Sequence, residues 1–322
     1  MMPPSDTALA GPIEVLTAAR LWPPMMDALQ GVYRVHDRLH QSDPAAFAAA
    51  APRIRAIAAS GESKVPRELI ARLPALEIIS VFGVGYDGID VGAARERGIA
   101  VTNTPDVLND EVADLAMALV LSVSRRIPQA DRFVREGKWA AGAMPLARKV
   151  SGARLGIVGL GRIGNAIARR AEAFGMAVSY TARSAKPDAG YAYFPSAEAL
   201  AAQVDFLVVI TPGGDATRKL IDAKVLRALG KDGYLINVAR GSVVDEAALV
   251  EALVAGSIAG AGLDVFENEP NVPAALLGLD NVVLTPHVGS ATWQTRGAMR
   301  DLAFGNLEAH FAGRPLLSPV AA

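Results

Sequence analysis

Two stretches in the last quarter of the chain each close an apolar run with a titratable side chain. AGLDVFENEP (261–270) ends in acidic residues and a proline, and NVVLTPHVGS (281–290) ends around a histidine. Both runs read as strands, which places Glu269 and His287 at carboxyl ends. An imidazole changes charge near neutral pH and can give or take a proton. A carboxylate beside it favours the charged ring and fixes its orientation. The pair is expected to move a proton; the alternative is that both are polar loop residues. Arg240, in INVARGSVVDEAAL, follows another strand-like run. Its planar guanidinium matches a carboxylate, though it could equally cap the helix that follows. The glycines of FGVGYDG (82–88) let backbone N–H groups point at an anion, or form an ordinary turn.

A different chemistry is suggested by RLGIVGLGRIG, which contains Gly159-x-Gly161-x-x-Gly164 between a strand-like run and the helical NAIARRAEAFG. Gly159 permits a tight turn, Gly161 lets backbone approach a pyrophosphate, and Gly164 lets the helix pack close to its strand. The helix amino end then offers N–H groups and a positive dipole to the phosphates. Glycine packing alone, or a different nucleotide fold, would use the same pattern. At the end of the next strand, VSYTARSAKP places Thr181 where a carboxylate would hold the adenosine ribose. Arg183, Ser184 and Lys186 follow. An arginine can grip a 2′-phosphate that a carboxylate would repel, so NADP(H) is favoured, with NAD(H) accepted less well. A solvated basic loop is the plain alternative.

These residues need a scaffold of strand ends. In the first part of the chain, IEVLTA, VYRVHD, IRAIAAS, LEIISVF and IAVTNT alternate with helical segments such as PMMDALQ and PRELIARL. A second set runs through RLGIVGL, AVSYTA, DFLVVI, YLINVA, IAGAGLDVF and NVVLTP. Repeated strand–helix order argues for parallel sheets covered by helices. NDEVADLAMALVLSVSRR (109–126) reads as one long helix, apolar nearly all round and so buried between domains or subunits. ATWQTRGAMRDLAFGNLEAHF reads as a last helix that returns to the first domain. The expected organisation is an α/β fold with two Rossmann-like, doubly wound parallel-sheet lobes. A substrate domain (1–104) is completed by 291–322 and surrounds a nucleotide domain (105–290).

Composition narrows the classes. The 322 residues suit two domains, and 51% of them are apolar. Lys plus Arg number 32 against 33 Asp plus Glu, a balance that gives no footprint for nucleic acid or an anionic membrane. There is no cysteine, which removes disulfides, thiolate metal sites and cysteine nucleophiles. No metal-ligand spacing appears. The opening MMPPSDTALAGP lacks the pattern of a secretory signal, and no uncharged apolar run is long enough to span a bilayer, so a cytoplasmic protein is expected.

Taken together, GVGYDGIDV, VTNTPDVLNDEVADLA, GIVGLGRIGNAIARRAEAFG, INVARGSVVDEAAL, GAGLDVFENEP and LTPHVGSAT resemble the D-isomer-specific 2-hydroxyacid dehydrogenases. The similarity is strongest from Val81 to Thr292, and closest to the NADPH-dependent glyoxylate/hydroxypyruvate reductase branch. The resemblance implies a homodimer, an active site between lobes, and reduction of a small 2-oxo acid to the D-2-hydroxy acid. It implies Arg240, Glu269 and His287 as the catalytic set, and the backbone of Val84 and Gly85, with Arg240, as the holder of the substrate carboxylate. It implies cofactor contacts from Gly159, Leu160, Gly161, Arg162, Ile163 and Gly164. Further cofactor contacts are implied for Thr211, Pro212, Val238, Ala239, His287 and Gly289, and for Asp264 near the nicotinamide carboxamide. Trp139 and Met144 are expected either to shape a partner's substrate pocket or to pack a dimer, and Trp293 to border the cleft mouth. His36, His40 and His310 are expected to be structural. No regulatory domain is expected beyond the last helix. Rival readings are a reductase of aryl pyruvates and a non-catalytic, dinucleotide-sensing corepressor-like protein. A formate dehydrogenase fits less well, because that branch has glutamine where Glu269 stands.

Overall fold

The computed structural model describes residues 11–320, so the reading of MMPPSDTALA as lacking a signal lies outside the described residues. The chain divides into two compact units, Met1–Leu108 with Trp293–Ala322, and Asn109–Thr292.

The first unit is built on β1 (Glu14–Thr17), β2 (Arg34–Asp37), β3 (Ile54–Ser60), β4 (Ile78–Phe82) and β5 (Ala100–Thr102), in the order β2-β1-β3-β4-β5. Every pairing is parallel. Central strands of such a sheet are covered on both faces and read as unbroken apolar runs. IISVF of β4 is buried at every position. Leu16, Ile57 and Ile79 are fully buried with Phe47, Ile70 and Leu73. Each such side chain contributes about 1.5–3 kcal/mol through removal from water. The helix Pro23–Val32 opens on two prolines, whose fixed φ suits the first turn. The last helix, Trp293–Phe311, lies against β4, where the Ser80 hydroxyl donates to the Ala303 carbonyl at 2.8 Å. The tail beyond it pairs with β5: Val320 N–H donates to the Val101 carbonyl at 2.8 Å. That contact covers a strand edge that would otherwise be open.

The second unit carries β6 (Arg154–Val158), β7 (Ala177–Thr181), β8 (Ala192–Tyr193), β9 (Phe206–Val209), β10 (Tyr234–Asn237), β11 (Gly260–Leu263) and β12 (Val282–Leu284). All pairings are again parallel, in the order β12-β11-β10-β9-β6-β7-β8. Strand order therefore reverses between β6 and β9, and ligands of open α/β sheets bind outside the strand ends at such a point. The long helix Asn109–Arg125 differs from its expected all-round burial. Within its own unit it packs one face on the helix Arg162–Ala173 and on β10, β11 and β12. A stripe at Asp110, Asp114 and Ala118 stays exposed. The close approach is made possible by Gly262, since a Cβ there would stand 2.9 Å from the Leu119 Cβ. Among the described residues no helix is long and apolar enough to cross a membrane.

Candidate active site

The second unit presents one titratable pair at its strand ends. His287 follows β12, and its Nδ1 lies 2.7 Å from Glu269 Oε2 in the loop after β11. The other carboxylate oxygen of Glu269 accepts the Phe266 N–H at 2.9 Å. Both side chains are partly buried, with 30% and 23% of their surfaces exposed, so solvent weakens their attraction only in part. Burial pushes the Glu269 carboxyl up. The His287 hydrogen bond and charge, the Phe266 N–H and the Arg240 charge outweigh it and bring the carboxyl below its ordinary value. The carboxylate is thus the held form, facing the imidazole.

His287 itself has φ of 52°, a left-handed conformation that costs a non-glycine residue about 1–2 kcal/mol. Asp264, at the end of β11, holds it there. The Asp264 carbonyl accepts the His287 N–H at 2.9 Å. Its carboxylate accepts Thr285 Oγ1 at 2.7 Å, Val288 N–H at 2.8 Å and Gly289 N–H at 2.9 Å. Asp264 is 2% exposed, and burial raises its carboxyl above the ordinary value despite those donors. Both carboxylate oxygens are thus engaged in shaping the His287 loop.

Arg240 leaves β10 through a turn organised by Asn237, a residue that sequence reasoning missed. Asn237 Oδ1 accepts the Ala239 N–H at 3.1 Å and its Nδ2 donates to the Arg240 carbonyl at 3.0 Å. Arg240 Nη1 donates to the Ala239 carbonyl at 2.7 Å. The next residue, Gly241, was missed as well. A Cβ there would stand 1.9 Å from the Phe266 carbonyl carbon, so only glycine lets this turn lie against the loop that carries Glu269. A glycine directly after an arginine at a strand end was the available signal. Arg240, Glu269 and His287 are brought to one edge of one sheet: a cation, a carboxylate and a proton carrier.

The glycine loop sits at the switch point. Gly159 has φ of 105°, and a Cβ on it would come within 2.8 Å of the Ile210 carbonyl oxygen after β9. A Cβ on Gly164 would stand 2.3 Å from the Gly159 carbonyl oxygen, so the helix Arg162–Ala173 packs tightly on the end of β6. A Cβ on Gly161 would meet nothing within 4 Å, and no side chain caps the helix there. The open approach and uncapped amino end fit a dinucleotide pyrophosphate at Leu160, Arg162 and Ile163. Thr211, half-buried, and Pro212, exposed, continue from β9, and Val238 and Ala239 from β10, both buried. Thr181 ends β7 with its side chain buried, whereas Arg183 and Ser184 are exposed beyond it. Lys186 reaches back from the same segment: its Nζ donates to the Leu160 carbonyl of the glycine loop, and its N–H donates to Tyr180 Oη at 2.6 Å. Trp139 is 69% exposed, with Met144 half-buried beyond it.

The first unit carries Val84 and Gly85, in the turn that leaves β4. Among the described residues their two N–H groups have no hydrogen-bond acceptor, although both residues are half-buried. Half-buried backbone donors without a partner are suited to an anion. Trp293, 77% exposed, rests on Trp22 with ring centroids 5.8 Å apart. His36 Nε2 lies 2.7 Å from Glu14 Oε2, and His310 Nε2 lies 3.1 Å from Glu77 Oε2.

Residues 117–289 match the family model described as D-isomer specific 2-hydroxyacid dehydrogenase, NAD binding domain. A glyoxylate/hydroxypyruvate reductase A of Arabidopsis thaliana is 54% identical over 83% of this chain and 85% of its own length. The hydroxyphenylpyruvate reductase of Plectranthus scutellarioides is also 54% identical, over 84% of this chain and 86% of that one. Among solved structures, an NADPH-dependent glyoxylate/hydroxypyruvate reductase from Sinorhizobium meliloti, in complex with NADP and malonate, is 49% identical. It covers 97% of each chain, with a TM-score of 0.91.

Proposed function

The chain belongs to the D-isomer-specific 2-hydroxyacid dehydrogenases, and from that membership we propose that it uses NADPH to reduce a small 2-oxo acid, of the glyoxylate or hydroxypyruvate type, to the D-2-hydroxy acid. The observation that carries the reading is the 2.7 Å contact between His287 and Glu269, on the unit that also holds the glycine loop. When bound, the nicotinamide supplies the hydride. His287 Nδ1 faces Glu269, so the proton delivered to the substrate oxygen is the one on Nε2. Arg240 grips the substrate carboxylate and polarises the reacting carbonyl, since its guanidinium fork matches that planar group. In the first unit, the N–H groups of Val84 and Gly85, without an acceptor among the described residues, are suited to hold a substrate carboxylate. Arg183 and Ser184 hold the adenosine 2′-phosphate at a strand end that lacks the carboxylate NADH would need.

The experiment is NADPH consumption with glyoxylate, hydroxypyruvate and phenylpyruvate, followed by chiral analysis of the product. Turnover of the small acids to the D product supports the proposal. Dinucleotide binding without turnover of any of them overturns it in favour of a sensing protein. A preference for phenylpyruvate would select the aryl-pyruvate reading, which the similarity to the Plectranthus enzyme favours. We also propose a homodimer. The exposed Ile127, Val134, Trp139 and Leu146 supply an apolar arm suited to a second copy. Sedimentation that reports only monomer at micromolar concentration would remove that part.

A further inference from the structure

The Val84–Gly85 turn is held from behind by a buried polar chain that starts at the far end of the sequence. Asn306, fully buried in the last helix, donates through Nδ2 to Ser318 Oγ at 2.8 Å. Its Oδ1 accepts the N–H groups of Leu317 and Ser318 at 3.0 and 3.1 Å. Ser318 Oγ donates in turn to the Asn103 carbonyl at 2.7 Å, and the Ser318 carbonyl accepts the Asn103 N–H at 3.3 Å. Asn103, 9% exposed at the end of β5, then donates through Nδ2 to the Val84 carbonyl at 2.9 Å. Next to it, the Thr104 N–H donates to the Gly83 carbonyl at 2.9 Å.

The peptide between Val84 and Gly85 is trans, because the single cis bond among the described residues is Glu269–Pro270. In a planar trans peptide the carbonyl and the following N–H point in opposite directions. A carbonyl pinned on the Asn103 side therefore turns the Gly85 N–H to the other side, where it meets no acceptor among the described residues. Without that pin a glycine-flanked peptide is free to rotate, since glycine populates both signs of φ. Asn306 uses both ends of its amide and Ser318 both donates and accepts, which lets the buried chain brace Asn103.

We propose that Asn103, braced by Ser318 and Asn306, is a positioning residue that aims the Gly85 N–H at the substrate carboxylate. This rests on the reading that Val84 and Gly85 hold that carboxylate. The C-terminal tail thereby acts on substrate affinity without touching the substrate.

Two variants of the full-length protein test it. Asn103→Asp keeps the side-chain shape but presents an acceptor to the Val84 carbonyl, and Ser318→Ala removes the brace with a smaller disturbance. Asn103→Asp is expected to raise KM for glyoxylate about tenfold or more, the usual worth of a charge-assisted hydrogen bond. Ser318→Ala is expected to move KM the same way by less. The Kd for NADPH and the cofactor KM stay as in wild type, which a general loss of folding would not allow. The Gly85 amide resonance of the wild-type NADPH complex is expected to shift when malonate, a carboxylate that cannot be reduced, is added, and to shift less in both variants. Unchanged KM and an unchanged Gly85 response in both variants overturn the positioning role. No Gly85 response in wild type overturns the carboxylate reading on which it rests, and the two failures are told apart by that spectrum alone.

Discussion

Glu269 sits between opposing influences: burial pushes its carboxyl up, while His287, Phe266 N–H and Arg240 bring it down further than burial raises it. Attraction between a carboxylate and an imidazolium is mutual, so the same contact keeps His287 protonated for longer as pH rises. Reduction consumes that proton. Glu269→Gln should therefore move the alkaline limb of the reductive rate to lower pH, measured as kcat/KM for the oxo acid across the neutral range. A limb at the wild-type position would mean the two groups are not coupled in turnover. Arg183 supports a second prediction at this scale. Its exposed guanidinium can form paired hydrogen bonds to a 2′-phosphate, each charge-assisted bond contributing about 1.5–3 kcal/mol. Arg183→Ala should lower the preference for NADPH over NADH by roughly ten- to a hundredfold in the ratio of kcat/KM values. An unaltered ratio would take Arg183 out of cofactor recognition.

At the level of elements, the site depends on loops that touch. The turn after β10 lies on the loop after β11 because Gly241 has no side chain, and the nearest atoms to a new Cβ are backbone atoms that cannot rotate away. Gly241→Ala should cost about 1–3 kcal/mol of stability. It should also lower kcat, since Arg240 and Glu269 would be pushed apart. Thermal melts and steady-state rates check both, and a variant with wild-type kcat would show that the close packing is dispensable for turnover. The legibility of the sequence followed the same division. The runs IRAIAAS and RLGIV could be read as strands because both faces are buried and the apolar residues run together. The glycine pattern gave away the turn after β6 for the same local reason. β8 escaped notice, since two residues at a sheet edge carry no pattern. The helix Asn109–Arg125 looked apolar all round, because its alanines read the same whether buried, as at Ala113 and Ala116, or exposed, as at Ala118. Gly241, Asn237 and Asn103 were missed because their reasons lie in what other loops place against them. Asp264 was noticed, but its hydrogen bonds to residues 285–289 depend on two strand ends meeting, which no local pattern announces.

Over the whole molecule, paired carboxylates make stability depend on acid. In the first unit burial raises the Glu14 carboxyl, but hydrogen bonds from Arg53 and His36 bring it below its ordinary value. In the second, hydrogen bonds from Arg154 hold Asp205 down against burial, with Arg148 adding its charge. A carboxyl depressed in the folded chain contributes stability above the unfolded value, and that stability is lost as pH falls through the folded value. The melting temperature should therefore fall below about pH 4, where free carboxylates begin to protonate. Asp205→Asn should flatten that fall, and an equal slope in the variant would mean the Asp205 cluster contributes nothing to it. Activity draws on the whole chain too, but it converges on one proton. The measurement that bears on it most directly is kcat for hydroxypyruvate reduction by wild type and His287→Asn, with NADPH affinity measured on both. Loss of a positioned general acid should lower kcat by about 10²-fold or more while NADPH binds as before. A correctly folded His287→Asn protein that reduces hydroxypyruvate at close to the wild-type rate would contradict the account.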